Sequence, residues 1–104
     1  MMITTSSQIA GKEIKQTFGI ARGNTIRARN IGKDILAVFK NIIGGEIEEY
    51  TKLMAESRDQ STDRMIENAK QLGANAIVDV RFSTSYIMGS AAEILVYGTA
   101  VHVE

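Results

Sequence analysis

The stretch EIEEYTKLMAESRDQSTDRMIENAKQL (46–72) decides the fold, because it contains neither glycine nor proline. Its smaller and apolar residues recur at spacings of three and four, which is typical of one buried helix face: Tyr50, Met54, Ser57, Ser61, Met65, Ala69 and Leu72. Gly73 is a C-terminal stop signal, and Lys70 lies in the last turn. The sequence therefore predicts one long helix over 46–72.

The predicted helix is long for so short a chain. At 1.5 Å per residue it would span roughly 40 Å, whereas a compact domain of this size has a radius of gyration of about 13 Å. Such a helix would extend beyond its own domain and pack against a neighbour, so we expect an oligomer. The two serines at the centre of the stripe, Ser57 and Ser61, indicate close approach to another backbone.

The segment NIIGGEIEEY (41–50) leads into this helix. A glycine-rich turn before a helix can bind phosphate through free amides. Here Glu46, Glu48 and Glu49 already occupy the positive end of the helix and would repel an anion, and no Lys-Ser/Thr pair follows. We favour a hinge at Gly44-Gly45 between two helices over a ligand-binding loop.

The rest of the chain predicts strands and one shorter helix. Residues 13–28 read as extended structure, with Phe18 and Ile20 sharing one face and RGN (22–24) forming a turn. Asn30 caps a helix over 31–43, whose apolar stripe contains Ile31, Ile35, Val38, Phe39 and Ile42. Two strands (75–87 and 92–103), joined by a hairpin at 88–90, close the chain.

The side-chain pattern of the two last strands predicts which faces are covered. In the first of them one face carries Ala76, Val78, Val80, Phe82 and Tyr86. The second is apolar on both faces, and a strand of this kind is normally covered on both sides. We expect a partner subunit to supply the second cover. Gly98 indicates a bulge or a close contact.

Composition limits the function classes. One hundred and four residues fit a single domain (1–104), and the absence of cysteine excludes disulfides and thiolate metal sites. No signal peptide or membrane span is visible, so we expect a cytoplasmic protein. Residues 12–40 carry seven basic and two acidic side chains, whereas residues 41–104 carry five basic and ten acidic ones. This asymmetry favours contact between the two halves over nucleic-acid binding.

The candidate ligand-binding group is Arg27, Arg29, Asn30 and Lys33. Arg27 and Arg29 would point the same way from a strand, close to the free amides after Asn30, and could hold a small anionic ligand. The alternative is pairing with the acidic helix of a neighbouring subunit, which we favour. Tyr50 could stack on an aromatic ligand, although at this spacing it is more often a core residue.

Several segments together resemble the YbjQ-like family of small bacterial proteins: NIGKDILAVFKNIIGGEIEEY (30–50), GANAIVDV (73–80) and YGTAV (97–101). The family is labelled as heavy-metal-binding. The resemblance implies an α+β fold in which a small antiparallel sheet packs with one short and one long helix, as in dodecin subunits. It also implies assembly into a ring, with five copies as the expected number.

The residues give little support to metal binding or catalysis. Soft metals need three or four thiolate or imidazole ligands, and the chain has only His102, which could contribute to a site only if several copies met at an axis. Glu46 and Glu49 lie one turn apart but match no calcium loop. We therefore expect no metal site, cofactor or enzymatic activity. The function expected is a ring-forming small-ligand-binding or scaffold protein; the alternative is the metal-sequestering protein of the family label.

Overall fold

The computed structural model describes residues 1–28, 47–87 and 91–104, and in them one helix packs on a four-stranded sheet. The elements are β1 (Met2–Ile3), β2 (Ile14–Ala28), α1 (Ile47–Gln71), β3 (Ala76–Ile87) and β4 (Ala91–Val103). The strand order is β1-β3-β4-β2. The α+β class is confirmed, but the sheet is mixed rather than antiparallel, because β1 pairs parallel with β3. The predicted helix over 31–43, the Gly44-Gly45 hinge and the turn at 88–90 lie outside the described residues.

Helix α1 confirms the long helix predicted over 46–72. Gly73 ends it with a φ of 92°. The Ala74 amide donates to the Ala69 carbonyl, and the Gly73 amide donates to the Lys70 carbonyl, both at 3.0 Å. This pair of bonds is a Schellman motif, which only a residue that tolerates positive φ can close without strain.

The buried stripe of α1 is also as predicted over its C-terminal half. Ser57, Ser61, Met65 and Ala69 are fully buried against β2 and β4. Leu72 is the exception, with 39% exposure. It follows the last helical residue, so its side chain no longer lies on the packed face.

Strand β2 corrects the prediction of a turn at 22–24. Arg22, Gly23 and Asn24 pair in unbroken register with Tyr97, Val96 and Leu95 of β4. A Cβ on Gly23 would overlap backbone atoms of Ser61 and Met65 in α1. Glycine is required here because a helix backbone packs directly on the strand, and the neighbouring residues Arg22 and Asn24 only imitate a turn sequence.

Strand β2 is irregular at another place. The register shifts between Thr17 and Gly19, and Gly19 has a φ of 111°. An extra residue in one strand changes which face the following side chains occupy. Phe18 packs against the helix-side core, whereas Ile20 is 72% exposed. The prediction that these two residues share a face is therefore wrong.

Strand β3 contains a second bulge opposite Gly98. The register shifts between Val78 and Arg81, and Asp79 has a φ of 54°. A Cβ on Gly98 would lie 2.7 Å from the Ile77 side chain, so the close contact predicted at this glycine is present. The bulge moves Val80 onto the helix-side face with Ile77, away from Ala76 and Val78. The single shared face predicted for this strand is wrong for that reason.

The second face of β4 is covered in part by the chain itself. Val101 and Val103 form a small cluster with Ala76 and Val78, and Ile9 of the N-terminal segment lies on it. At this end the cover that was expected from a partner subunit is intramolecular. Further along the same face, Tyr97 remains 40% exposed.

The molecule is elongated, with a radius of gyration of 17.2 Å and extents of 54 × 23 × 16 Å. Arg27, one residue before the end of β2, contacts Ser57 of α1. The helix residues before Ser57 therefore extend roughly 15 Å beyond that contact. In the described part of the chain, no helix has the length and apolar character needed to cross a membrane.

Candidate functional site

Arg27 lies on the helix-side face of β2 and contacts its own helix. Its Nε donates to Ser57 Oγ and its Nη2 donates to Gln60 Oε1, both at 3.1 Å. Arginine suits this position because its planar guanidinium serves two acceptors at once. These contacts join β2 to α1 within one chain, through neutral partners rather than the acidic ones expected from a neighbouring subunit.

The other residues of the predicted ligand group are not placed. Arg29, Asn30 and Lys33 lie outside the described residues. Tyr50 belongs to α1, but its side chain is outside the described set as well. The grouping of these residues with Arg27 stays a prediction.

An open concavity of about 550 Å³ lies instead beside β2, near the middle of the strand. Its lining residues come from β2, α1 and β4: Arg22, Asn24, Asn68, Glu93 and Leu95. Arg22, Asn24, Glu93 and Leu95 fall on one face of the sheet, since Arg22 pairs with Tyr97 and Asn24 pairs with Leu95. Asn68 reaches the same place from α1, where its Oδ1 accepts the Arg22 amide at 3.0 Å.

The polar groups of this concavity are partly occupied by one another. Asn24 Nδ2 donates to Glu93 Oε2 at 3.1 Å, and Arg64 Nη1 donates to the Asn24 carbonyl at 2.6 Å. Within the described residues no carboxylate forms an ion pair with the Arg22 guanidinium. The Arg22 guanidinium, beside two amide side chains and Leu95, can bind a carboxylate or phosphate through charge-assisted hydrogen bonds.

Sequence reasoning missed this concavity because it interpreted Arg22-Gly23-Asn24 as a turn. A continuous strand brings Arg22 and Asn24 to one face, two residues apart, whereas a turn would separate them. Glu93 gave no local signal, since its partner Asn24 is distant in sequence. The available signal was the pair of small residues Ser57 and Ser61 on α1, which indicates close approach to another backbone and so fits a glycine in a continuous strand.

The donor set does not fit a soft metal ion within one chain. His102 Nε2 lies 3.2 Å from Glu104 Oε1 in an exposed pair. Across residues 1–28, 47–87 and 91–104, no three His, Cys, Asp or Glu side chains converge on one point. In the same ranges every buried side-chain nitrogen or oxygen has a hydrogen-bond partner. These ranges therefore contain no unpartnered buried nitrogen or oxygen that could serve as a metal ligand, and we derive no chemistry from a metal.

The chain is similar along its whole length to archaeal and bacterial proteins. A UPF0145 protein of Methanosarcina acetivorans is 52% identical over 103 residues, covering 99% of this chain and 97% of that protein. A UPF0145 protein of Halorubrum lacusprofundi is 54% identical over 101 residues, covering 97% of each. One from Dehalococcoides mccartyi strain 195 is 53% identical over 104 residues, covering all of both. The expectation of a bacterial family is thus too narrow, because archaea have it too.

The fold is also found in a solved structure. A protein of unknown function of the DUF74 family, from Pediococcus pentosaceus, superposes with a TM-score of 0.67. The match covers 100% of this chain and 98% of that chain, at 18% identity, so the likeness concerns the fold alone. The family is assigned from the sequence relatives, together with a family model that matches residues 1–104. On this ground the chain belongs to the YbjQ family, whose description reads "Putative heavy-metal-binding".

Proposed function

We propose that this protein is a non-catalytic homo-oligomer that acts as a scaffold and binds a small anionic ligand. A ring is the expected assembly, and five copies is the number that the resemblance implies. The observation that carries the proposal is an exposed aromatic pair, Phe82 and Tyr86, which are 52% and 79% exposed.

The position of this pair is more informative than its exposure. Phe82 lies opposite Val96, a fully buried residue of the helix-side core. Phe82 and Tyr86 therefore continue the face on which α1 packs, but α1 lies mainly over β2 and β4. Large aromatic side chains that extend a core surface typically mark a protein interface. A second copy that covered them would complete the layer that the described residues leave open.

The ligand-binding part of the proposal is supported by the concavity beside β2. Arg22 supplies the positive charge, and Asn68 and Asn24 supply polar groups around it. The ligand class that fits is a small molecule with a carboxylate or phosphate group. Arg22 takes the place that sequence reasoning gave to Arg27, whose guanidinium is bound to Ser57 and Gln60.

Native mass spectrometry of the purified protein tests the assembly, and denaturation of the same sample tests the ligand. We expect a multiple of the 11.4 kDa chain mass. The double variant Phe82→Ser/Tyr86→Ser should dissociate, whereas Ser85→Ala, on the same strand but the other face, should not. A wild-type monomer at micromolar concentration would overturn the proposal.

The ligand is tested by adding inorganic phosphate as the probe and comparing wild type with Arg22→Gln. We expect chemical-shift changes at Arg22, Asn24 and Asn68 that saturate in wild type and disappear in the variant. Lys15→Gln, an exposed change elsewhere on β2, is the matched control. Shifts of equal size in all three proteins would refute a site at the concavity.

A further inference from the structure

Within the described residues, the outer edge of β3 is covered along only half of its length. Met2 and Ile3 pair with Ala76 and Ile77. The N-terminal segment then follows the strand: the amides of Asp79 and Val80 donate to the carbonyls of Ser6 and Thr4 at 3.0 Å. Arg81 Nη1 binds the Thr5 carbonyl. Beyond Arg81, nothing in the described part of the chain pairs with this edge from Phe82 to Ile87.

The backbone groups that face outward there can be identified. The Val80 amide donates to Thr4, so it points away from β4. Because backbone direction alternates along a strand, the N–H and C=O groups of Phe82, Thr84 and Tyr86 also point outward. The other edge of the sheet leads to the same assignment. The Arg22 amide points away from β4, so the backbone groups of Tyr97, opposite it on β4, point towards β3 and bond to Arg81. Phe82, the next residue on β3, therefore points outward.

Among the described residues, the opposite edge carries protection from its N-terminal part to its middle that residues 82–87 of β3 lack. On β2, Asn68 Oδ1 accepts the outward Arg22 amide, and Arg64 Nη1 donates to the outward Asn24 carbonyl. Two register shifts, near Ile14 and Thr17, further disturb that edge. Bulges, charges and prolines are the usual devices that prevent a strand edge from pairing. Residues 82–87, FSTSYI, contain no charge and no proline, and the β3–β4 register runs through them without a shift.

We infer that the outer edge of β3, from Phe82 to Ile87, receives an extended strand from a second copy of this chain. The inference depends on the proposed homo-oligomer and says where its contact lies. The added strand would bring the neighbour's layer over Phe82 and Tyr86.

The same chain can provide the partner strand. The other sheet edge is β2, where Asn68 and Arg64 bind outward groups in the middle of the strand. Ile26 lies beyond them, at the level of the sheet that also holds residues 82–87, and no described residue binds its outward groups. When the β3 edge of one copy pairs with the β2 edge of another, the pair still has one unpaired β3 edge and one unpaired β2 edge. The contact can then repeat from copy to copy, which is the geometry that closes into a ring.

Thr84→Pro tests this inference, because proline removes the outward N–H and no hydrogen bond of the β3–β4 ladder. Thr84→Val is the matched control, since it changes the side chain and keeps the N–H. By native mass spectrometry we expect Thr84→Val to keep the wild-type mass and Thr84→Pro to fall towards the 11.4 kDa monomer. An unchanged mass in Thr84→Pro would overturn the edge contact, while the homo-oligomer itself would stand. A monomeric wild type would instead overturn the proposed function.

Hydrogen exchange gives a second readout if Thr84→Pro does not fold. In the wild-type oligomer, the amides of Phe82, Thr84 and Tyr86 should exchange on the order of 100-fold more slowly than in diluted, dissociated protein. The Ser83 and Ser85 amides, which bond to β4, should change much less and serve as internal controls. Fast exchange of the three outward amides in the intact oligomer would refute the inference.

Discussion

Gly23 of β2 packs directly against the backbone of α1 at Ser61. A Cβ on Gly23 would overlap the Ser61 carbonyl oxygen and would lie 2.8 Å from Arg64 Cβ. The contact is flanked by Thr25 and Ala21, both small enough to continue the close approach. It fixes the distance between the helix and the sheet. At this distance Arg64 and Asn68 can hydrogen-bond to backbone groups at the edge of β2.

The first prediction concerns this contact. Gly23→Ala should lower the free energy of unfolding by about 3 kcal/mol, since the new methyl group meets helix backbone that cannot move aside easily. Gly11→Ala is the matched control, because Gly11 has positive φ but nothing within 4 Å, and it should cost only about 1 kcal/mol. Urea unfolding at one fixed protein concentration measures both. Gly23 itself has no positive φ, so equal losses would contradict a tight contact between Gly23 and the helix backbone.

The second prediction concerns the buried hydroxyl pair between α1 and β2. Ser61 Oγ lies 2.8 Å from Thr25 Oγ1 and 3.0 Å from the Ile94 carbonyl oxygen. Ser61→Ala should cost about 2 kcal/mol, because it leaves a buried hydroxyl without its partner. Thr25→Val should cost less in the Ser61→Ala background than in wild type. The coupling free energy between the two substitutions, measured by urea unfolding, should be about 1 kcal/mol. Strict additivity would show that the two hydroxyls do not depend on each other.

The third prediction concerns Arg27. Arg27→Lys should lower the free energy of unfolding by about 1 kcal/mol, because one ammonium cannot bridge Ser57 and Gln60 as a guanidinium does. Arg58→Lys, on an exposed part of the same helix, should change it by less than about 0.5 kcal/mol.

Native mass spectrometry of Arg27→Lys separates the structural role from a ligand role. We expect any bound small molecule to remain in this variant. Loss of bound mass with unchanged stability would restore Arg27 to the ligand site that the sequence predicted.

The fourth prediction concerns the heavy-metal description of the family. A zinc site usually needs three or four ligands, and each copy supplies one imidazole, His102, and no thiolate. We therefore expect that zinc added to the oligomer gives no stoichiometric metal mass that depends on His102. The measurement is native mass spectrometry of wild type and His102→Gln, with Glu104→Gln as the control for the exposed pair. One zinc per ring that is present in wild type and absent in His102→Gln would contradict this expectation.

The chain shows clearly which features local sequence could predict. Helix α1 was predictable to within a residue at each end, because freedom from glycine and proline and the stop at Gly73 are local signals. The existence of β3 and β4 followed from their apolar residues. Which face of the sheet a side chain occupies was predictable only up to the first bulge in each strand. The bulges at Gly19 and Asp79 shift the alternation of side chains, and no residue near Asp79 in sequence predicts its positive φ.

The concavity shows what local sequence could not supply. Arg22, Asn24, Asn68 and Glu93 are separated by up to 71 residues along the chain, and only the β2–β4 register and the height of α1 bring them together. Arg27 was predicted to lie on a strand, as it does, and to meet a ligand or a neighbouring subunit's helix; its contacts with Ser57 and Gln60 of its own helix depend on how α1 is placed.

By itself, the sequence determined the class of the fold, the long helix, the serine stripe that requires close packing, and membership in a family through segments that match together. These depend on periodicity and on residue types with strong local preferences. Tertiary structure decided that Gly23 is a packing contact and not part of a turn. It also decided which side chains of β2 and β3 lie on each face after the bulges, and that Arg22 is the cation beside the concavity. The physical reason is that each of these depends on which backbone atoms lie opposite a residue, and that is a property of distant segments brought together.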